Sequence, residues 1–228
     1  HDVQVMVDGP AARALGDLAR ARWQRATGQR LSPANAERGD PWPVTLAPHL
    51  TDVPLGIART EPPYRGHAPV REIENVLLDM IGRAERMIYI ENQYFTAQRV
   101  GTALEQRLRE ADGPEIVVVL PQRTVGWLSQ YTMDVLRERL IKRLIAADAH
   151  NRLRVYYPYL PGLGEQCINV HSKLLIVDDA LLKIGSSNLN NRSMGLDTEC
   201  DLVLDANGDE RVAAGIAALR ERLLAEHL

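Results

Sequence analysis

The sequence predicts an α/β domain with a mainly parallel or mixed central sheet flanked by helices. Three observations predict it. From residue 70 onward, apolar runs of strand length alternate with longer stretches of helical period. The 228 residues are 45% hydrophobic, enough to bury a sizeable core without covalent staples. No apolar run reaches the roughly eighteen residues of a membrane-spanning helix, and no signal peptide opens the chain, so it is expected to be soluble or peripheral, with its compartment unassigned.

The elements follow in order. Residues 2–8 read as a carboxylate-led apolar strand, and residues 10–27 as an amphipathic helix with Leu15, Leu18, Arg22 and Trp23 at helical spacing. Residues 28–69 hold eight of the thirteen prolines and form an irregular connection with one strand near 53–58. A helix over 70–85 then feeds a strand at 87–91, a helix over 98–111 feeds a strand at 115–120, and a helix near 127–147 feeds a strand at 152–156. The apolar run Val170 to Val177 reads as a buried strand that ends in the Asp178-Asp179 turn. Further strands are expected at 181–184 and 199–204, with an Ala/Leu/Arg-rich helix after them.

Within the run at 170–177, His171, Lys173 and Asp178 form the pattern H-x-K-x-x-x-x-D. Side chains at i and i+2 of a strand point the same way, so an imidazole and an ammonium would stand side by side. That arrangement suits gripping a phosphate and moving a proton beside it. The chain writes nearly all its positive charge as Arg, with Lys only at 142, 173 and 183, so a Lys inside an apolar strand is not generic surface charge. The loop Gly185-Ser186-Ser187-Asn188 follows the next strand and offers hydroxyl, amide and backbone donors to an anion. Glu199 opens the strand after it and can return to meet the histidine.

Taken together, H-S-K-L-L-I-V-D, G-S-S-N and Asp197-Thr198-Glu199 resemble the second signature block of the phospholipase D superfamily. Ile88-Tyr89-Ile90-Glu91-Asn92-Gln93-Tyr94-Phe95 is similar to a stretch of phospholipase D enzymes proper, and His1 to Pro10 resembles the W-H-D segment that follows the first block in two-block members. Only one H-x-K is present. The resemblance therefore implies that residues 1–27 close a preceding first half, that 28–69 connect, and that 70–228 form the domain with the catalytic block. Asp2 would be the first half's equivalent of Glu199.

The same resemblance implies the chemistry: cleavage or exchange of phospholipid headgroups through a phosphohistidine. His171 would be the general acid/base, its partner histidine coming from a missing N-terminal half or a second subunit. Lys173 and Asn188 would hold phosphate oxygens with Ser186 assisting, Glu199 would orient His171, and Asp178 and Asp2 would be structural at the site. No metal or organic cofactor is needed. The net charge of −3 argues against nucleic acid as the substrate, although a phosphodiesterase nuclease and an inactive phosphate-binding scaffold stand as alternatives. The aromatic stretch Tyr156 to Gly164 reads either as a lipid entrance at a membrane surface or as an ordinary packed loop; Gly126-Trp127-Leu128 and Tyr131 invite the same interfacial reading. Cys167 and Cys200 are expected as buried free thiols, and His49, His67, His150 and His227 in solvated or capping roles.

Overall fold

In a computed structural model that describes residues 1–33, 42–124, 126, 130–164 and 166–227, these patterns resolve into strands and helices. In chain order they are α1 (Gly9–Thr27), β1 (Gly56–Glu61), β2 (Val70–Arg71), α2 (Glu72–Arg83), β3 (Met87–Asn92), α3 (Gln98–Arg109) and β4 (Glu115–Val119). A π-helical turn (Gln130–Asp134) leads into α4 (Val135–Ala147), followed by β5 (Leu153–Tyr156), β6 (Lys173–Val177), β7 (Leu181–Gly185), α5 (Asn191–Gly195), β8 (Glu199–Asp205) and α6 (Glu210–His227). Residues 1–4 and 53–228 make one compact unit, and residues 5–52, with α1, make another.

Local chemistry accounts for the elements. Ile73, Leu77, Met80 and Ile81 form the buried stripe of α2, while Glu72 and Glu74 in its first turn and Arg83 in its last complement the helix dipole. Pro10 begins α1, and Gly28 closes it in left-handed backbone at φ 77°, which glycine adopts without a Cβ clash. Every residue of β6 is buried, and all of β3 after Met87 is too, because helices or loops cover both faces of the sheet there. α3 and α4 pack closely enough that a Cβ on Gly101 would lie 2.4 Å from a Leu140 methyl. Removing a fully buried core side chain such as Leu104 or Ile90 would cost about 2–5 kcal/mol.

The sheet has eight strands in the order β2-β1-β8-β7-β6-β3-β4-β5. It is mixed: β3–β4 and β4–β5 are parallel, and the other neighbours are antiparallel. The βα alternation therefore specifies parallel pairing only between residues 87 and 156, and the hairpin from β6 through β7 to β8 turns the rest antiparallel.

Several expected boundaries move, each for a reason of pairing. Residues 2–8 form no strand; His1 bonds to the segment ahead of β6, through its amine to the Asn169 carbonyl and its carbonyl to the His171 N–H, and Val5 and Met6 are exposed. The run beginning at Val170 enters the sheet only at Lys173, because Lys173 faces Asn92, the last residue of β3. Helix α2 starts at Glu72 because Val70 and Arg71 pair with β1. Trp127 and Leu128 lie outside the described residues.

This order brings one set of strand ends to a single edge. The ends of β3, β4 and β5 lie there, together with the starts of β6 and β8 and the end of β7.

Candidate functional site

The three residues His171, Ser172 and Lys173 alternate in direction, as extended backbone requires. Ser172 is fully buried and donates from Oγ to Glu91 Oε2 at 2.6 Å. His171 faces outward with 53% of its side chain exposed, and its Nδ1 lies 3.1 Å from Asp2 Oδ2. Lys173 is only 7% exposed, and its Nζ donates to the His171 carbonyl. Burial pushes the Lys173 ammonium below its ordinary pKa, with Asp2 and Glu199 opposing part of that effect.

The Gly185–Asn188 loop closes the other side. Ser186 Oγ donates to Glu199 Oε2 at 2.5 Å and accepts the Cys200 N–H at 3.0 Å. Ser193 Oγ donates to Glu199 Oε1 at 2.6 Å and accepts the Asn188 N–H at 3.1 Å. The Asn188 side-chain oxygen is buried without a hydrogen-bond partner among the described residues. Asn92, at the end of β3, accepts the N–H groups of Tyr94 and Leu189 through one side-chain oxygen, fixing the loop to the edge where Lys173 enters.

His171, Lys173, Asp2, Ser186, Asn188 and Glu199 thus gather at one sheet edge. Their partners differ from expectation in one respect: the carboxylate on the His171 ring belongs to Asp2, whereas Glu199 is bonded to two serine hydroxyls. Strand order is the reason. Glu199 opens β8, two strands from β6, a lateral separation of about 10 Å. Asp178 lies at the far end of β6, about 17 Å along the strand. There its carboxylate accepts the N–H groups of Glu85, Arg86 and Met87, the last two at 2.8 and 2.6 Å. Asp178 and Asp179 both take left-handed backbone in a tight turn closed by the Ala180 N–H on the Val177 carbonyl.

A second group at the site was not singled out by sequence reasoning. Glu91 is 0% exposed and accepts from Tyr89 Oη at 2.6 Å, from Ser172 Oγ, and from His1 Nε2 at 2.8 Å; His227 Nε2 stands 3.2 Å away. Burial would raise the Glu91 pKa, but the hydrogen bonds from His1, Ser172 and Tyr89 outweigh it and leave the group below its ordinary value. The hydrogen bond to Glu91 raises the pKa of His1 most, burial opposes it, and Glu226, 2.7 Å from Nδ1, adds to the increase. Carboxylates at both ring nitrogens favour the imidazolium form of His1. His227, in the last turn of its helix, is not solvated: its side chain is 2% exposed. His49, His67 and His150 are exposed, and both cysteines are half-buried free thiols. The sequence signals for this network are the Ile88–Phe95 and His1–Pro10 resemblances and the alternation in Tyr89-Ile90-Glu91, which puts a hydroxyl and a carboxylate on one face of a buried strand.

His1, Glu226 and His227 bring potential metal-ligand atoms within 4.8 Å of one another. A cation there would have to displace the existing contact between His1 and Glu226. Among the described residues, no helix is long and apolar enough to cross a membrane. Tyr157, Tyr159 and Leu160, exposed by 50, 77 and 53%, follow β5 at the same edge as His171.

Comparison with known proteins places these features. The family model described as cardiolipin synthase, PLD-like domain, matches residues 77–222. Cardiolipin synthase A of Pectobacterium carotovorum is 24% identical over 98% of this chain and 40% of its own length. Phospholipase D A of Dictyostelium discoideum is 25% identical over all of this chain and 21% of its own length. The chain thus spans well under half of the curated relatives it matches. The solved phosphatidylserine synthase of Haemophilus influenzae shares the fold, at 15% identity and a TM-score of 0.55, over 98% of this chain and 48% of that one.

Proposed function

The chain belongs to the family of cardiolipin synthase, PLD-like domains, in the phospholipase D superfamily, and we propose that it supplies one half of a phosphatidyl-transfer site in which His171 moves the proton. The observation that carries this reading is the grouping at one sheet edge. A half-exposed imidazole is paired with a carboxylate, beside a desolvated lysine and the half-buried Asn188. Those are the parts a phosphodiester needs: a proton donor for the leaving alkoxide, and fixed positive charge and dipoles on the nonbridging oxygens.

In this mechanism the nucleophile is a second histidine, because the sequence carries one H-x-K. It comes from a matching block in another half of the protein or in a second copy. Its ring nitrogen attacks phosphorus, the phosphorus–oxygen bond to the headgroup breaks, and the His171 N–H gives its proton to the leaving oxygen. His171 then takes a proton from water or an alcohol, whose oxygen attacks phosphorus and releases the first histidine. Lys173 and the Asn188 amide hold the nonbridging oxygens. Asp2 holds the imidazole by Nδ1 and leaves Nε2 for the reacting oxygen, and Ser186 with Glu199 sets the loop beneath them.

The substrate proposed is a glycerophospholipid met at a membrane surface. Tyr157, Tyr159 and Leu160 offer apolar and aromatic surface at the same edge, and a net charge of −3 gives little long-range attraction to a polyanion. The test combines this chain with its complementary half on vesicles of phosphatidylcholine and phosphatidylglycerol in the presence of 1-butanol. Phosphatidylbutanol is the expected product; rapid cleavage of single-stranded DNA with no headgroup release would overturn the lipid assignment and favour a nuclease.

A further inference from the structure

Behind the Gly185–Asn188 loop lies a charged cluster that the proposed chemistry does not use. Lys183, Ser187 and Asp201 are 1, 0 and 0% exposed. Lys183 Nζ lies 2.8 Å from Asp201 Oδ2 and donates to Ser187 Oγ at 2.7 Å. Asp201 accepts the Ser187 N–H on Oδ1 at 3.0 Å and the Ser187 hydroxyl on Oδ2. Gly185, opposite Asp201 in the β7–β8 ladder, leaves room for this carboxylate, because a Cβ there would lie 2.3 Å from Asp201 Oδ1.

A buried ion pair is costly to desolvate, and apolar residues of similar volume often stabilise a core as well or better. Such a pair is therefore weak evidence for stability, and its geometry must be asked what else it specifies. Here every partner converges on Ser187, whose backbone N–H and hydroxyl are both held. Ser187 lies between Ser186, whose hydroxyl is bonded to Glu199, and Asn188, whose side-chain amide is assigned to the phosphate. With Ser187 pinned inward, Ser186 stays exposed and Asn188 only half-buried.

We propose that Lys183, Asp201 and Ser187 form an internal clamp that positions Asn188 for phosphate, acting as positioning residues without touching the substrate. The inference rests on the assignment of Asn188 as a phosphate donor. The clamp holds the loop in its ligand-bound conformation before the anion arrives, so that phosphate does not have to order it on binding.

The test titrates inorganic phosphate into the chain and follows the Asn188 side-chain amide and His171 ring by NMR, in wild type and three variants. Lys183→Met/Asp201→Asn removes both charges while keeping an acceptor for the Ser187 N–H. This pair is expected to bind phosphate at least tenfold more weakly and to exchange the Ser187 amide at least tenfold faster, at a temperature where its circular dichroism matches wild type. Ser187→Ala keeps both charges and removes only the bridging hydroxyl; it is expected to weaken binding about threefold and decides the matter if the double variant does not fold. Asn188→Ala is the control for the underlying assignment. If Asn188→Ala weakens binding and the clamp variants do not, the clamp is wrong and the phosphate site stands. If wild type shows no phosphate binding, or Asn188→Ala leaves it unchanged, the phosphate assignment fails and the clamp with it.

Discussion

The two ends of β6 carry polar groups in contrasting states. At the far end, Asp178 accepts three backbone N–H groups at the start of β3, and Asp179 is paired with Arg220 and Arg86. At the near end, the His171 ring is half exposed with one carboxylate contact, and Lys173 is desolvated. Both ends stand on one rigid strand buried on both faces. The difference is one of commitment: the Asp178 carboxylate is taken up by backbone donors of the fold, whereas the His171 ring keeps an exposed face for a ligand.

Substitutions at the two ends should separate activity from stability. In the assembled enzyme, His171→Asn should lower kcat by about 10³–10⁴-fold and Lys173→Met by about 10²–10³-fold, each with the thermal midpoint within a few degrees of wild type. Near-normal turnover of Lys173→Met would remove it from the phosphate site. At the other end, Asp178→Ala should destabilise the domain by about 1–3 kcal/mol, because three backbone donors lose their acceptor, while kcat at a permissive temperature stays near wild type. Urea denaturation with parallel kinetics checks both halves of that statement. A large loss of kcat at full stability would erase the contrast between the ends.

The Glu91 network gives a smaller effect with a defined sign. Glu91 has a lowered pKa, so its contribution is full above its ordinary 4.5 and is lost as pH falls through the folded value. His1 has a raised pKa, so its contribution is full below its ordinary 6.5 and is lost as pH rises through the folded value. The pair should stabilise the domain most between about pH 4.5 and 6.5. Thermal midpoints measured from pH 4 to 9 should show that maximum in wild type and a flatter profile in Glu91→Gln. An identical profile in the variant would separate this network from the acid–base behaviour of the domain.

Much of the molecule was legible in the chain itself. The helical stripe of α2, the continuous apolar runs of β3 and β6, and the residue types of the H-x-K and G-S-S-N segments are all patterns within a few residues, where side-chain direction and burial follow from local geometry. Partner choice was not local. Asp2 stands at the His171 ring across 169 positions of sequence, and Glu199, the carboxylate expected there, is held two strands away by the order β8-β7-β6. Glu91, His1 and His227 converge from the middle and both ends of the chain, and Asp201 meets Ser187 only through the β7–β8 register. Hydrophobic periodicity determines which side chains face inward. Ladder register and strand order determine which of them meet, and these arise from backbone pairing between distant segments, which tertiary structure alone decides.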